Sequence, residues 1–79
     1  MKKYEFTGET RKIGDITVKR IRAARDFAGV KKGDFGGWIE KEANLSHECD
    51  AWVYGNAEVC GNAWVYGNAE VCGNAWVYG

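Results

Sequence analysis

Few residues of this chain are of types that could do chemistry. His47, the single histidine, is followed by Glu48 and Cys49, residue types that can supply a base and a nucleophile. Side chains adjacent in sequence point in different directions and rarely converge on one substrate. We therefore interpret residues 47–50 as a loop insertion. We expect no catalytic residues and no enzyme activity.

The other two cysteines, Cys60 and Cys72, are twelve residues apart. A zinc site typically combines closely spaced cysteine pairs with further Cys or His ligands, and this spacing does not provide them. We expect small side chains that are exposed or half-covered, with neither a metal nor a cofactor. Three cysteines, an odd number, do not form a disulfide framework and are typical of a reducing cytoplasm.

Positive charge is concentrated in the N-terminal part. Residues 1–32 carry ten Lys or Arg and four Asp or Glu, a net charge of +6. Residues 33–79 carry one Lys and seven Asp or Glu, a net charge of −6, so the chain as a whole is neutral. Basic clusters attract nucleic acids and other polyanions. The residues that would form this contact are Arg20, Arg22, Arg25, Lys31 and Lys32. A solvated face is the simpler interpretation, and nucleic-acid binding is the alternative.

The dominant feature of the chain is an exact repeat. Residues 51–56 read Ala-Trp-Val-Tyr-Gly-Asn and residues 57–62 read Ala-Glu-Val-Cys-Gly-Asn; the pair recurs from residue 63 and begins again at residue 75. We call each six-residue unit a hexad. Alternation places Ala and Val on one side of a short strand and the intervening residues on the other. Gly-Asn then permits a turn, because both residues readily adopt positive φ.

Identical hexads favour a parallel β-solenoid over a series of hairpins, because stacked coils place like residues over like. A flat coil of two hexads would place Glu58 on Glu70, an unfavourable pair of like charges. A triangular coil of three hexads places Trp52 on Glu70 and Glu58 on Trp76 instead. We therefore predict an all-β protein with triangular coils of 18 residues.

Degenerate hexads precede the exact ones. Leu45 takes the Val position, and Ile39 takes it six residues earlier. The step from Leu45 to Val53 is eight residues instead of six, so the loop 47–50 contains two extra residues. Because the Val positions face inward, we expect Val59 and Val65 in the core.

The sequence Val-Tyr-Gly-Asn-Ala-x resembles the hexapeptide repeat of left-handed parallel β-helices. The chain is also similar to small bacterial and prophage-encoded proteins with tandem Tyr-Gly-Asn-Ala repeats, whose N-terminal block is similar to residues 32–42. The first resemblance implies a left-handed β-helix. The second implies a bacterial or prophage origin and assigns no chemistry. Some acyltransferases built on this repeat use a histidine base, so a minimal acyltransferase-like enzyme with His47 is a further alternative.

The N-terminal residues alternate between apolar and polar types around glycines, which is typical of a small antiparallel β-unit. We predict that residues 1–36 form a basic cap on a solenoid of residues 37–79, in one continuous unit. No apolar leader core or membrane span is present, so we expect a cytoplasmic protein without membrane contacts.

Aromatic side chains occupy the outward positions of the hexads. The outward aromatic surface is Trp52, Tyr54, Trp64 and Tyr66. Exposed apolar patches usually mark an interface, and solenoids need capped ends to stay soluble. We predict a non-enzymatic structural or interaction module that self-associates. The residues at this contact are Val71, Trp76, Val77 and Tyr78. A closed homodimer is favoured, and a head-to-tail fibre that joins the basic cap to an acidic coil is the alternative.

Overall fold

A computed structural model describes residues 2–79 and confirms that the chain is all-β. The strands are β1 (Tyr4–Ile13), β2 (Ile16–Ala23), β3 (Phe35–Ile39), β4 (Trp52–Val53), β5 (Glu58–Cys60), β6 (Glu70–Val71) and β7 (Trp76–Tyr78). One three-residue 3₁₀ helix, Glu42–Asn44, lies among them. The described residues contain no helix with the length and apolar character that a membrane crossing requires.

The strands form a mixed five-stranded sheet of order β1-β2-β3-β5-β7 and a two-stranded sheet of β4 and β6. β1 and β2 form an antiparallel hairpin that turns at Gly14, whose φ of 60° suits a residue without a Cβ. β2 then pairs antiparallel with β3, where Arg20 lies opposite Trp38. β3 runs across the predicted boundary between residues 36 and 37, so the N-terminal hairpin and the repeat share one sheet.

The hexads pair in parallel with an offset of 18 residues. Glu58 lies opposite Trp76 in the β5–β7 pair, and Trp52 lies opposite Glu70 in the β4–β6 pair. These are the pairs that a coil of three hexads predicts. A coil of two hexads would have placed Glu58 opposite Glu70.

The predicted loop insertion accounts for the remaining parallel pairs. Ile39 lies opposite Val59, and Leu45 forms an isolated parallel bridge with Val65. Both pairs join residues 20 apart, and both span the loop 47–50, where two extra residues were predicted.

The core combines residues from the hairpin and from the repeat. Val59 and Val65 are 0% and 5% exposed, which confirms that these positions face inward. They lie in one apolar cluster with Ile21 of β2, Ile39 of β3 and Leu45. The hairpin therefore shares its core with the first hexads and does not pack as a separate layer.

Gly36 and Gly37 permit a close approach of β3 to the repeat. A Cβ on Gly37 would lie 2.6 Å from the main-chain oxygen of Ala57 and 2.6 Å from a methyl group of Val53. A Cβ on Gly36 would lie 2.7 Å from the Trp52 ring. Since such contacts are far inside van der Waals separation, only glycine fits at either position.

Candidate interaction surface

The burial of equivalent hexad residues decreases along the repeat. Val53 and Val59 are fully buried, Val65 is 5% exposed, and Val71 and Val77 are only half-buried. The alanine position follows the same order, with Ala51 and Ala57 buried, Ala63 half-buried, and Ala69 and Ala75 exposed. The hexads at 51–56 and 57–62 are covered by the hexads 18 residues further on. Within residues 2–79, β6 and β7 each pair with a strand on one side only, and their core-position valines are half-buried.

Four of the six repeat aromatics are exposed, and they form two pairs within single hexads. The ring centroids of Trp64 and Tyr66 are 4.4 Å apart with their planes stacked, and those of Trp76 and Tyr78 are 4.8 Å apart. The exposed fractions of these four residues run from 52% for Trp76 to 66% for Tyr78. We call Val71, Trp76, Val77 and Tyr78 the open end. It combines half-buried aliphatic side chains with an exposed aromatic pair, the composition of an interaction surface.

The prediction that Trp52 belongs to an exposed surface is wrong. Trp52 is 1% exposed because the rings of Phe27 and Tyr4 pack against it, with centroid distances of 5.1 and 6.3 Å. Tyr54, two residues on, is half-buried. The N-terminal block covers the first aromatic hexad, so of the four predicted aromatics only Trp64 and Tyr66 are exposed.

The expectation for Cys60 is also wrong, since this side chain is 1% exposed. It packs in a small apolar cluster with Val18 and Trp38. The Arg11 guanidinium lies 4.2 Å from the centroid of Trp38 and donates a 2.8 Å hydrogen bond to the Glu58 carboxylate. The hairpin thus covers the outer side of β3 and β5. Cys72, which takes the same position in the identical hexad twelve residues further on, is an exposed free thiol.

Two of the predicted polyanion contacts are paired with carboxylates of β1. Arg20 lies 3.5 Å from a Glu9 carboxylate oxygen and 4.6 Å from the centroid of Phe35. Arg22 forms an ion pair with Glu5. Arg22 and Lys32 line a cavity of about 420 Å³, but Glu5 also lines it. The carboxylate offsets their charge, which weakens this cavity as a phosphate site.

The other three basic residues that were predicted to contact polyanions lie in the loop of residues 24–34. Arg25 donates to the main-chain oxygen of His47 at 3.4 Å and lies 5.5 Å from the centroid of Phe27. Lys31 and Lys32 are exposed, and neither ammonium forms an ion pair among the described residues. Nucleic-acid binding stays a prediction.

Lys3 has a structural role that the sequence did not reveal. It is fully buried, and its ammonium donates to the main-chain oxygens of Cys49 and Ala51 at 2.7 and 2.5 Å. Burial lowers the pKa of Lys3 below its usual value. The side chain therefore ties the first strand to the loop insertion. A lysine next to the N-terminus looks like a solvated residue in a sequence, and no pattern indicates otherwise.

His47 joins the same arrangement through both ring nitrogens. Its Nδ1 accepts the Lys3 main-chain N–H at 3.1 Å, and its Nε2 lies 2.9 Å from the Glu42 carboxylate. Its ring stacks on that of Tyr4 at 3.9 Å. The Tyr4 hydroxyl donates to the main-chain oxygen of Leu45 at 2.7 Å, and burial raises the pKa of this phenol. These contacts position the N-terminal strand, and they occupy the nitrogens that a general base would need free.

Within residues 2–79, no three His, Cys, Asp or Glu side chains are grouped as metal ligands would be. No protein-family profile matches the sequence. The chain is 32% identical over 77 residues to a protein of Escherichia coli strain K12 named "Uncharacterized acetyltransferase YdcK". The match covers 78% of this chain and 24% of that protein, so the chain spans about a quarter of the length of this curated relative. The similarity agrees with the resemblance of the hexads to the repeat on which some acyltransferases are built.

Proposed function

We propose that the repeat is a triangular β-solenoid of 18-residue coils and that it self-associates through the open end. The 18-residue offset of the β4–β6 and β5–β7 pairs supports the triangular coil. The decrease in burial from Val59 to Val71 and Val77 carries the proposal of self-association. These valines are chemically equivalent, so the difference between them lies in what covers them.

The partner that best fits the open end is a second copy of the same end. At the other end of the repeat, Tyr4 and Phe27 pack against the first hexad tryptophan, Trp52, and leave it 1% exposed. A contact between two identical open ends has two-fold symmetry and cannot propagate. The product is a closed homodimer, with Trp76 and Tyr78 at its centre.

A head-to-tail fibre is less well supported. It would bring positive charge of the N-terminal block to the acidic repeat, but Arg20 and Arg22 are paired with carboxylates of their own hairpin, which leaves the exposed Lys31 and Lys32 for this contact. Exposed ion pairs are weak, about 0–1 kcal/mol each. Fibres held by these charges should therefore form only at low ionic strength.

Sedimentation equilibrium of the wild-type chain and of two lysine variants tests the proposal. Tyr78→Lys places a charge in the open end at a residue that is 66% exposed, so it should not disturb the fold. Thr17→Lys places the same charge on an exposed position of β2 and is the control. We expect dimers for wild type and Thr17→Lys at tens of micromolar, and monomers for Tyr78→Lys. A wild-type monomer, or a Tyr78→Lys dimer of unchanged affinity, would refute self-association through this surface.

Acyl transfer is the second candidate, because the relative in Escherichia coli bears the name of an acetyltransferase. In that role the chain would supply a repeat domain, and His47 would have to exchange its contact with Glu42 for a substrate proton. Release of thiol from acetyl-CoA in the presence of amine and alcohol acceptors measures this activity. Turnover that His47→Asn abolishes, in a variant that still folds, would establish an enzyme and overturn the prediction of a non-enzymatic module.

A further inference from the structure

A second cavity, of about 300 Å³, lies where the loop before β3 meets β4. Its lining residues are Ala28, Gly29, Val30, Asp34, Phe35, Trp52 and Tyr54. Three of these residues are aromatic, and Asp34 is the one charged residue among them. The cavity is thus an aromatic site with a single negative charge.

The electrostatics of this cavity favour a cation. The Asp34 carboxylate accepts the Lys31 main-chain N–H at 3.0 Å, and among the described residues it forms no ion pair. Burial, and then the nearby Glu70 carboxylate, raises the pKa of Tyr54. The Asp34 carboxylate, with Glu70 near Tyr54, attracts positive charge into the cavity.

Four other aromatic rings of the fold have a Lys or Arg side chain over them, those of Phe6, Phe27, Phe35 and Trp38. Lys3 lies 4.9 Å from the centroid of Phe27, and Arg11 lies 4.2 Å from that of Trp38. Within residues 2–79, no Lys or Arg takes such a position over Trp52 or Tyr54. Of the three rings that line the cavity, Phe35 already has the Arg20 guanidinium 4.6 Å from its centroid, whereas Trp52 and Tyr54 have no such partner among the described residues.

The rim of the cavity holds a strained residue. Phe27 and Val30 exchange two main-chain hydrogen bonds, of 2.9 and 2.6 Å, around a two-residue turn. Both central residues have positive φ, 41° at Ala28 and 83° at Gly29. Positive φ is unfavourable for alanine, and strain of this kind is concentrated at ligand sites.

We propose that this cavity binds an organic ammonium group. The Asp34 carboxylate would balance its charge, and the ring of Tyr54, which has no Lys or Arg over it among the described residues, would contact its polarised methyl or methylene groups. The ligand class includes free quaternary ammonium compounds and lysine side chains, which share this chemistry. Nothing in this proposal depends on the oligomeric state.

Titration of the ¹⁵N-labelled chain with choline chloride, followed through amide chemical shifts, tests the proposal. Sodium chloride at equal ionic strength controls for screening. The neutral isostere 3,3-dimethylbutan-1-ol controls for apolar binding, and the tripeptide Gly-Lys-Gly represents a lysine side chain. We expect choline or the tripeptide to shift the amides of residues 28–35 and 52–54 with a dissociation constant in the millimolar range. The tighter of the two identifies the source of the ammonium group.

The neutral alcohol should bind at least about fivefold more weakly, because it lacks the charge that Asp34 and the rings recognise. Equal binding of choline and the alcohol would overturn the proposal. So would the absence of any shift of these amides when choline or the tripeptide is added at about 50 times the expected dissociation constant.

Two matched variants assign the effect to the carboxylate. Asp34→Asn removes the charge and keeps an oxygen for the Lys31 N–H, so it should weaken ammonium binding about fivefold. Asp26→Asn is the control, because Asp26 also accepts a loop N–H, from Lys32, but does not line the cavity. Equal losses in the two variants would mean that only the overall charge matters and would refute the site.

Discussion

Two valines in identical hexads give the sharpest test of the difference in burial. Val59 and Val71 both lie in the sequence Ala-Glu-Val-Cys-Gly-Asn, so local propensity, strand alternation and turn chemistry are the same for both. Val59 is fully buried and Val71 is half-buried. Any difference between Val59→Ala and Val71→Ala must therefore come from tertiary packing.

The expected magnitudes follow from the groups removed. Each substitution deletes two carbon groups, worth about 1.6 kcal/mol when fully buried at ~0.8 kcal/mol each. The cavity left at Val59 adds to this, for a total of about 2–3 kcal/mol. At Val71 about half of the transfer term is lost and no closed cavity forms, so the cost is about 0.5–1 kcal/mol. With a urea m-value of ~1 kcal/mol/M, the two midpoints should differ by about 1–2 M.

Urea unfolding followed by tryptophan fluorescence at low micromolar concentration measures both costs in the monomer. Costs that agree within about 0.5 kcal/mol would refute the burial difference. If the open end is the dimer contact, the cost of Val71→Ala should also rise with protein concentration, whereas that of Val59→Ala should rise less.

Three further substitutions, two of them with a matched control variant, probe the contacts that join strands β1–β3 to the repeat. Tyr4→Phe should cost about 1–2 kcal/mol at neutral pH in urea unfolding, because the hydroxyl donates to main-chain oxygens. Burial raises the pKa of Tyr4, so its stabilisation is complete below pH 10 and is lost as the pH rises further; the wild type should lose stability above pH 10 more steeply than Tyr4→Phe. In thermal melts, Gly37→Ala should cost about 3 kcal/mol because its Cβ meets a main-chain oxygen at 2.6 Å. Gly67→Ala, with open space and φ of 67°, should cost about 1 kcal/mol. Glu58→Lys breaks the ion pair with Arg11 of the hairpin and should cost about 1–2 kcal/mol. Glu70→Lys, at an exposed position of the equivalent hexad, should change stability very little in the same melts. Equal costs for the two glycine variants, or for the two glutamate variants, would contradict the packing described above.

The sequence predicted the features that depend on period and turn chemistry. The inward positions of Val59 and Val65 and the pairing of Trp52 with Glu70 follow from alternation, Gly-Asn turns and like-charge avoidance. The two-residue insertion was also predictable, because it shifts a strict six-residue step. These are local or periodic properties, and each hexad repeats the same information.

The sequence did not predict what the non-repetitive hairpin covers. Trp52 and Cys60 take outward positions in the hexad, yet both are buried, Trp52 by Phe27 and Cys60 by Val18 and Trp38. The repeat pattern contains no information about where the hairpin packs against it. The burial of Lys3 could not be predicted either, because its partners are main-chain oxygens, which every residue type carries.

Backbone NOEs between strands test the 18-residue coil most directly, and the open end depends on that coil. Because identical hexads overlap in the spectra, the indole and amide signals of Trp52 and Trp76 would be assigned with single Trp→Phe variants. Parallel pairing at this offset predicts main-chain NOEs between residues 52 and 70 and between residues 58 and 76. NOEs between residues 58 and 70, which a coil of two hexads requires, would contradict the triangular coil and the proposed dimer surface with it.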